Sequence, residues 1–244
     1  MLTDMSQSIE LTLKSLKANN FDTHFVHTSS EAREKILGMI PLTARVGVGD
    51  SATLRQIGIL EELTQRRTDV INPFTHELTQ GIIENTNKRR LFHQMQKKTL
   101  DTDVFLTGSN ALTEDGKLVN IDRIGNRVTG MIFGAENVIL VIGRNKIVKD
   151  IDAAIYRIKN VLAPVHAARK NNKTPCASTG KCNDCNSPSR LCNITVIIEK
   201  QLTHSHLSVI LIDKDLGLGW DPVWDEKRIS NIRSNYYQNT WVFF

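Results

Sequence analysis

Apolar positions along this chain recur at helical spacing in some segments and form short continuous runs in others. The runs at 102–108 and 137–143 are strand-sized and are typical of buried strands. The remaining patterns predict further strands over 21–26, 44–49, 68–72, 193–200 and 206–213, and helices over 8–19, 29–40, 51–65, 77–99 and 150–170. Strands that alternate with helices favour an α/β sheet that is covered on both faces.

Two segments depart from this alternation. Residues 110–122 predict a β-hairpin, because Asp115 and Gly116 form a dipeptide that favours a tight turn. The C-terminal segment contains aromatic patches but no clear period. We therefore predict one α/β domain over 1–215 and a C-terminal tail over 216–244.

The composition is that of an ordinary globular protein, with 40% hydrophobic and 23% charged residues in a chain of 244. No apolar run approaches the roughly 18 residues that a membrane helix requires, so we expect no membrane span. The first residues carry an acid and no continuous apolar stretch, which is unlike a signal peptide. These features favour a cytoplasmic protein.

All four cysteines lie in one polar segment with the spacing C-x5-C-x2-C-x6-C. They are Cys176, Cys182, Cys185 and Cys192. A C-x2-C pair commonly binds zinc or an iron–sulfur cluster, and reduced cytoplasmic thiols bind metal more often than they form disulfides. We predict a four-thiolate site for one of these metals; a thiol–disulfide site and unused thiols are the alternatives. The cysteine-rich loop at 171–193 is predicted to be an insertion in the domain.

The region around the cysteines is basic, because residues 165–192 contain five Lys or Arg and one acid. Nearby cations favour the thiolate form of cysteine, which is the form that binds metal. A basic loop also suits nucleic acid, but the aromatic residues that stack on bases are absent from this region. We therefore expect no binding to nucleic acid.

A glycine-rich turn joins a predicted strand to a predicted helix in the segment VGVGDSATLRQIG. Glycines allow a sharp turn and a close approach to a ligand, and N–H groups at a helix start attract anions. This pattern predicts an anion site formed by Gly47, Gly49, Asp50, Ser51 and Thr53. The alternative is an ordinary strand-to-helix turn that needs no ligand.

A second polar group follows the next buried strand and the hairpin. Its members are Ser109, Asn110, Asp122, Asn126 and Arg127. Ligands bind at the carboxyl ends of strands in open α/β sheets, so we predict that this group binds the same ligand. Arg127 is predicted to grip a carboxylate or phosphate through two N–H groups. In the alternative interpretation Asp122 pairs with Arg123 or Arg127, and the group is purely structural.

Two further features concern the surface. The basic run at 88–98 predicts the solvent-facing side of a long helix. The aromatic ending at 235–244 is too apolar to remain in solvent, which favours a homodimer.

Four segments, taken in order, resemble the LUD-domain family in its lactate-utilisation protein C type. They are VGVGDSATLRQIG, DVFLTGSNALTEDGKLVNIDRIGNRV, NVILVIGRNKIV and TPCASTGKCNDCNSPSRLCN. The resemblance spans about residues 5–215, and the cysteine loop resembles that of a subset of the family. It implies a three-layer, Rossmann-like α/β fold of the ribose-5-phosphate isomerase and CoA-transferase type, with the cysteine-rich loop inserted. It also implies that the turn at 47–51 corresponds to the anion-binding turn of those enzymes.

The resemblance further implies a role in L-lactate (2-hydroxy acid) utilisation, because some members belong to an iron–sulfur-rich system that oxidises L-lactate to pyruvate. We therefore expect an accessory or catalytic subunit that binds a small anionic metabolite and works with iron–sulfur subunits of a lactate-oxidising complex. The chain shows no flavin or nicotinamide fingerprint, so we do not expect it to oxidise a substrate alone. One alternative is a stand-alone enzyme for a sugar phosphate or acyl-CoA. Another is a binding module whose basic loop docks an acidic protein partner.

Overall fold

The computed structural model describes residues 2–82 and 84–240, and within these ranges ten strands form two sheets. The strands are β1 (Asp22–Val26), β2 (Arg45–Val48), β3 (Asp69–Ile71), β4 (Val104–Thr107), β5 (Ala111–Thr113), β6 (Leu118–Asp122), β7 (Asn137–Gly143), β8 (Ile147–Val148), β9 (Ile194–Ile198) and β10 (His206–Ile212). The larger sheet has six parallel strands in the order β1-β10-β7-β4-β2-β3. The smaller sheet has the order β8-β5-β6-β9 and contains antiparallel pairs.

Eleven α-helices accompany the strands in the described part of the chain. They are α1 (Leu2–Ala18), α2 (Ser29–Met39), α3 (Ala52–Ile57), α4 (Ile59–Gln65), α5 (His76–Thr79), α6 (Thr86–Lys98), α7 (Asn126–Phe133), α8 (Ile151–Arg157), α9 (Ala163–Arg169), α10 (Pro175–Thr179) and α11 (Glu226–Gln238). A π-helical turn over Ile158–Leu162 joins α8 to α9. Thr28, Asn85, Asp150 and Asp225 each start a helix by accepting a hydrogen bond from the backbone N–H three residues later.

Three apolar clusters hold the layers together. On one face of the larger sheet, helices α2, α3 and α4 pack buried side chains such as Ile36 and Leu54 against the strands. On the other face, Leu16 of α1, Met131 of α7 and the smaller sheet cover the same strands. A third cluster lies between the hairpin, α8 and α11. The three-layer α/β arrangement predicted from the sequence is confirmed, and no helix of the described residues is both long and apolar enough to cross a membrane.

Two predicted helices are interrupted. The helix predicted over 51–65 is split into α3 and α4, because Gly58 has a left-handed backbone with φ +72° and ends the first helix. The helix predicted over 77–99 is split into α5 and α6. Gly81 also has a positive φ, of +68°, and Asn85 begins α6 as a capping residue.

Three helices were not predicted. Helix α10 is a short helix within the predicted cysteine loop. Helix α7 follows Gly125. Its first residues are polar, so the sequence pattern does not reveal the apolar side chains of this helix that lie in the core. Helix α11 lies in the predicted tail, where Ile229, Ile232 and Tyr236 are buried at helical spacing among exposed charged residues. The aromatic ending continues to residue 244, and its last four positions lie outside the described residues, so the homodimer stays a prediction.

The segment between β10 and α11 is fixed to the larger sheet by an ion-pair network centred on Asp215. Arg228 of α11 donates to both carboxylate oxygens of Asp215, at 2.7 and 2.8 Å. Arg144 donates to the same carboxylate at 3.1 Å. Burial alone would raise the pKa of Asp215, but the hydrogen bonds and charges of the two arginines outweigh it and lower that pKa. The C-terminal segment therefore belongs to the folded body of the protein.

Candidate functional site

A cavity of about 850 Å³ opens at the carboxyl ends of four adjacent strands of the larger sheet. Ser51 follows β2, Ser109 follows β4, Lys146 follows β7 and Gly217 follows β10, and all four line the cavity. Carboxyl ends of parallel strands are where open α/β sheets bind their ligands. The topology thus makes this cavity the candidate functional site.

Eight of the ten predicted site residues line this cavity. They are Asp50, Ser51, Thr53, Ser109, Asn110, Asp122, Asn126 and Arg127. The other two, Gly47 and Gly49, do not line it. A side chain at Gly47 would collide with the backbone carbonyl of Thr99, and a Cβ at Gly49 would lie 2.5 Å from the Thr107 hydroxyl. Both glycines are therefore required for packing beneath the turn, and their approach to a ligand stays a prediction.

Two hydroxyl groups face the cavity without a partner in the described residues. Ser51 precedes α3, but its side chain makes no capping hydrogen bond. Thr53 is buried, and its hydroxyl has no hydrogen bond within the described ranges. Each lies against a glycine: a Cβ at Gly108 would be 2.8 Å from Ser51 Oγ, and one at Gly217 would be 2.7 Å from Thr53 Oγ1. These hydroxyls are free to bind a ligand.

Arg127 is buried beside the cavity, and neutral protein acceptors already occupy its terminal N–H groups. One terminal nitrogen donates to Asn120 Oδ1 at 2.7 Å and to Gly108 O at 3.4 Å. The other donates to Asn110 Oδ1 at 2.9 Å and to Ile121 O at 3.1 Å. The predicted two-pronged grip on a ligand is therefore not available in this arrangement. Arg127 instead brings a buried positive charge to the cavity wall.

Asp122 is a helix cap and forms no ion pair with Arg123 or Arg127 in the described residues. Its carboxylate accepts hydrogen bonds from the backbone N–H groups of Arg123, at 3.0 Å, and of Val128, at 3.2 Å. Asn126 is the first residue of the helix that this carboxylate caps. The structure thus gives Asp122 a structural role that differs from the ion pair considered in the sequence.

Lys146 is a cavity residue that the sequence analysis missed. Its side chain is buried, and Nζ donates to the backbone carbonyl of Ser109 at 3.1 Å. Burial, followed by the charges of Arg157 and Arg127, lowers the pKa of Lys146 to about 7. No carboxylate of the described residues forms an ion pair with Lys146 or Arg127. This wall of the cavity is consequently electropositive.

The cavity lining also includes a mixed group of charges around Asp50. Arg55 donates to one carboxylate oxygen of Asp50 through both terminal nitrogens, each at 3.0 Å. Burial would raise the pKa of Asp50, but Arg55 and Lys170 outweigh it and lower that pKa to about 2. His166 contacts the hydroxyl of Tyr236 through Nδ1, and burial lowers the pKa of His166 to about 4. At neutral pH Asp50 is ionised and His166 is uncharged.

The mouth of the cavity is formed in part by α6. Arg89 and His93 are exposed, as predicted for the basic run, but both also line the cavity. Phe92 of the same helix packs edge-to-face on Phe74, with ring centroids 5.7 Å apart. The basic run is therefore more than a solvated helix face. Its contacts with distant parts of the chain could not be predicted from the sequence.

The cysteine loop also reaches the cavity, through Cys192. Within the described residues, no group of three or more His, Cys, Asp or Glu side chains is arranged to hold a metal ion. Cys176 Sγ lies 3.3 Å from the hydroxyl of Thr174. Burial raises the pKa of Cys192, although the charge of Arg190 opposes this. At Cys192 burial therefore outweighs the effect of nearby cations that was expected to favour its thiolate. The four-thiolate metal site stays a prediction.

Comparison with known protein families identifies the family of this chain. The LUD domain model matches residues 9–212, so the chain belongs to the LUD-domain family. No curated protein sequence matches the chain.

Several solved structures are similar to this chain, and two of them are the following. One is a DUF162 family protein from Deinococcus radiodurans, with 12% identity, coverage of 85% of this chain and 98% of that chain, and a TM-score of 0.45. The other is ribose 5-phosphate isomerase A from Methanocaldococcus jannaschii, with 13% identity, coverage of 50% and 55%, and a TM-score of 0.31.

Proposed function

We propose that this LUD-domain protein binds a short anionic carboxylate, of the lactate or pyruvate kind, in the cavity at the carboxyl ends of the strands. The observation that carries this proposal is the pair of buried basic side chains on one wall, Lys146 and Arg127, which have no carboxylate partner in the described residues. Burial of a charge costs free energy unless a counter-charge is near. A bound anion would supply that counter-charge.

The hydroxyls beside these cations suit a carboxylate. Ser51 and Thr53 offer O–H donors that the described protein does not use. Thr53 Oγ1 and Lys146 Nζ lie near each other, because both approach the position that a Cβ at Gly217 would take, at 2.7 and 3.1 Å. A carboxylate oxygen in this corner would accept charge-assisted hydrogen bonds, which are stronger than those between neutral groups.

Membership of the LUD-domain family supports a 2-hydroxy or 2-oxo acid as the ligand, since the family is associated with lactate utilisation. In that role the chain acts as a subunit that holds the acid, while iron–sulfur partner subunits carry the electrons. The redox chemistry is assigned to the partners because the chain shows no flavin or nicotinamide fingerprint.

Calorimetric titration of L-lactate and pyruvate tests the proposal. Loss of the hydroxyl in Thr53→Ala is expected to weaken binding roughly ten- to a hundredfold, as is typical for a hydrogen bond to a charged group. Thr64→Ala is the matched control, because Thr64 is an exposed residue of α4 whose hydroxyl donates to Leu60 O, away from the cavity. The proposal is wrong if neither acid binds, or if both variants bind like the unaltered protein.

A second candidate function is favoured by the size of the cavity. A volume of about 850 Å³ lies within the range of roughly 300–1,000 Å³ that holds drug-sized ligands, and exceeds what a three-carbon acid fills. A sugar phosphate or the phosphate end of an acyl-CoA is therefore the alternative ligand. A thermal-shift panel separates the two: stabilisation by phosphate esters but not by lactate or pyruvate would favour the alternative.

A further inference from the structure

Lys146 is buried, and both its backbone and its side chain form hydrogen bonds with neighbouring segments. It ends a 3₁₀ turn after β7, and Arg157 donates to its backbone carbonyl at 2.6 Å. The neighbouring Asn145 is buried and binds the segment beyond β10, since its side chain donates to Gly219 O at 2.8 Å. The lysine side chain passes Gly217, where any Cβ would lie 3.1 Å from Nζ. A lysine amine fixed in this way presents its free side to the cavity.

The charges around this amine favour its neutral form. The charges that act on it are those of Arg157 and Arg127, and both are cations. Lys170 in the same cavity differs, because Asp50 stabilises its protonated form and opposes the effect of burial. A lysine becomes a nucleophile when burial or neighbouring cations release its proton, because attack requires the free lone pair on nitrogen. Lys146 meets both conditions.

We propose that Lys146 forms an imine with the carbonyl carbon of a short 2-oxo acid bound in the cavity. The lone pair of Nζ attacks the carbonyl carbon and forms a C–N bond, while the carbonyl oxygen takes up a proton and becomes a hydroxyl. This carbinolamine then loses water, and a C=N bond replaces the C=O bond. The step needs no oxidant or reductant. The charge of Arg127 offsets the carboxylate of the bound acid, and the Thr53 hydroxyl and the amine both border the position that a Cβ at Gly217 would take.

This proposal rests on the proposed function in one respect, since the acid enters the same cavity. It adds a chemical distinction between the two acids. A 2-oxo acid has a carbonyl carbon and becomes covalently attached, whereas a 2-hydroxy acid such as lactate has none and binds only by non-covalent contacts. The cavity thus discriminates between the reduced and oxidised partners of one redox couple.

Borohydride trapping tests the inference on the full chain. The protein is incubated with pyruvate, glyoxylate or L-lactate near neutral pH, reduced with sodium borohydride, and examined by intact mass and peptide mapping. The expected product gains the mass of one oxo acid less one oxygen atom per chain, on the peptide that contains Lys146. Lactate gives no gain. Peptides that carry exposed lysines, such as Lys17 and Lys227, are the internal controls for non-specific labelling.

The outcomes separate this inference from the proposed function. If pyruvate binds in calorimetry but neither oxo acid is trapped on Lys146, the imine is wrong and the carboxylate site stands. If label appears only on exposed lysines, the imine is wrong as well. If neither binding nor trapping is seen, both proposals fail. The imine is supported directly if the intact chain gains one label that maps to Lys146, and if a folded Lys146→Met variant gains none.

Discussion

Replacement of Lys146 by methionine is expected to stabilise the ligand-free protein at neutral pH. Methionine keeps the length of the side chain and removes its charge, and it loses only the hydrogen bond from Nζ to Ser109 O. Removal of a buried charge that lacks a partner relieves a desolvation cost. The variant therefore tests whether the Lys146 side chain lowers the free energy of unfolding of the ligand-free protein.

The magnitude follows from the pKa of the lysine. That pKa falls from the ordinary value of 10.5 to about 7 in the folded protein. At about 1.4 kcal/mol per pKa unit, the shift means that the protonated side chain costs the fold roughly 5 kcal/mol. Between about pH 7 and pH 10.5 the unfolded chain binds more protons at this residue than the folded chain does. The free energy of unfolding therefore rises with pH over this interval, by roughly 2 kcal/mol between pH 7 and pH 9.

Urea denaturation of the unaltered protein and the Lys146→Met variant at pH 7 and pH 9 measures this effect. The variant is expected to be more stable by a few kcal/mol at pH 7, and its advantage is expected to shrink by about 2 kcal/mol at pH 9. Lys227→Met, on the exposed face of α11, is the matched control and should change little at either pH. A difference that does not vary with pH would refute the argument that Lys146 is desolvated beside uncompensated cations.

Three further predictions concern other parts of the structure. Gly217→Ala is expected to cost about 1–3 kcal/mol of stability and to abolish binding of the carboxylate, because φ is +67° and the new Cβ would lie 2.7 Å from Thr53 Oγ1. Gly180→Ala is the control, because Gly180 has a similar φ of +70° and open space around it. This control variant should show only the backbone cost and should bind the carboxylate normally. Asp215→Asn is expected to destabilise the protein by about 2 kcal/mol in urea denaturation, because it leaves Arg228 without its carboxylate, and an unchanged midpoint would contradict this role. Protein purified without oxygen is expected to contain zinc or iron with sulfide at the four cysteines, as measured by elemental analysis and a visible spectrum; absence of both would contradict the four-thiolate prediction.

The order of helices and strands was largely predictable because buried positions produce a periodic pattern of apolar residues in the sequence. Strands such as β7 are continuous apolar runs, and the hairpin turn contains Gly116, which has φ +79°. The breaks at Gly58 and around Gly81 were not predicted, because a glycine within a helical pattern is compatible with both a continuous helix and a helix end. Helix α11 was not predicted because its three buried positions, Ile229, Ile232 and Tyr236, lie among charged and aromatic residues that obscure the helical period.

The candidate site was predictable only where its residues follow strands in the sequence. Ser51 and Ser109 were found in this way, since the carboxyl ends of neighbouring parallel strands meet at one edge. Lys146 and His166 were not, because nothing local distinguishes a buried lysine or histidine from a solvated one. Burial is the first cause of both lowered pKa values, and Arg127, from another part of the chain, contributes to both.

The C-terminal segment determines part of the shape of the cavity. The last strand of the larger sheet ends at Ile212, which is also where the match to the family ends. One side of the cavity is nevertheless supplied by residues beyond that point, namely Gly217, Leu218, Tyr236 and Thr240. The scaffold and part of its selectivity are thus encoded in separate stretches of the chain. Exchange of the final stretch alone would give the same sheet a cavity of a different shape.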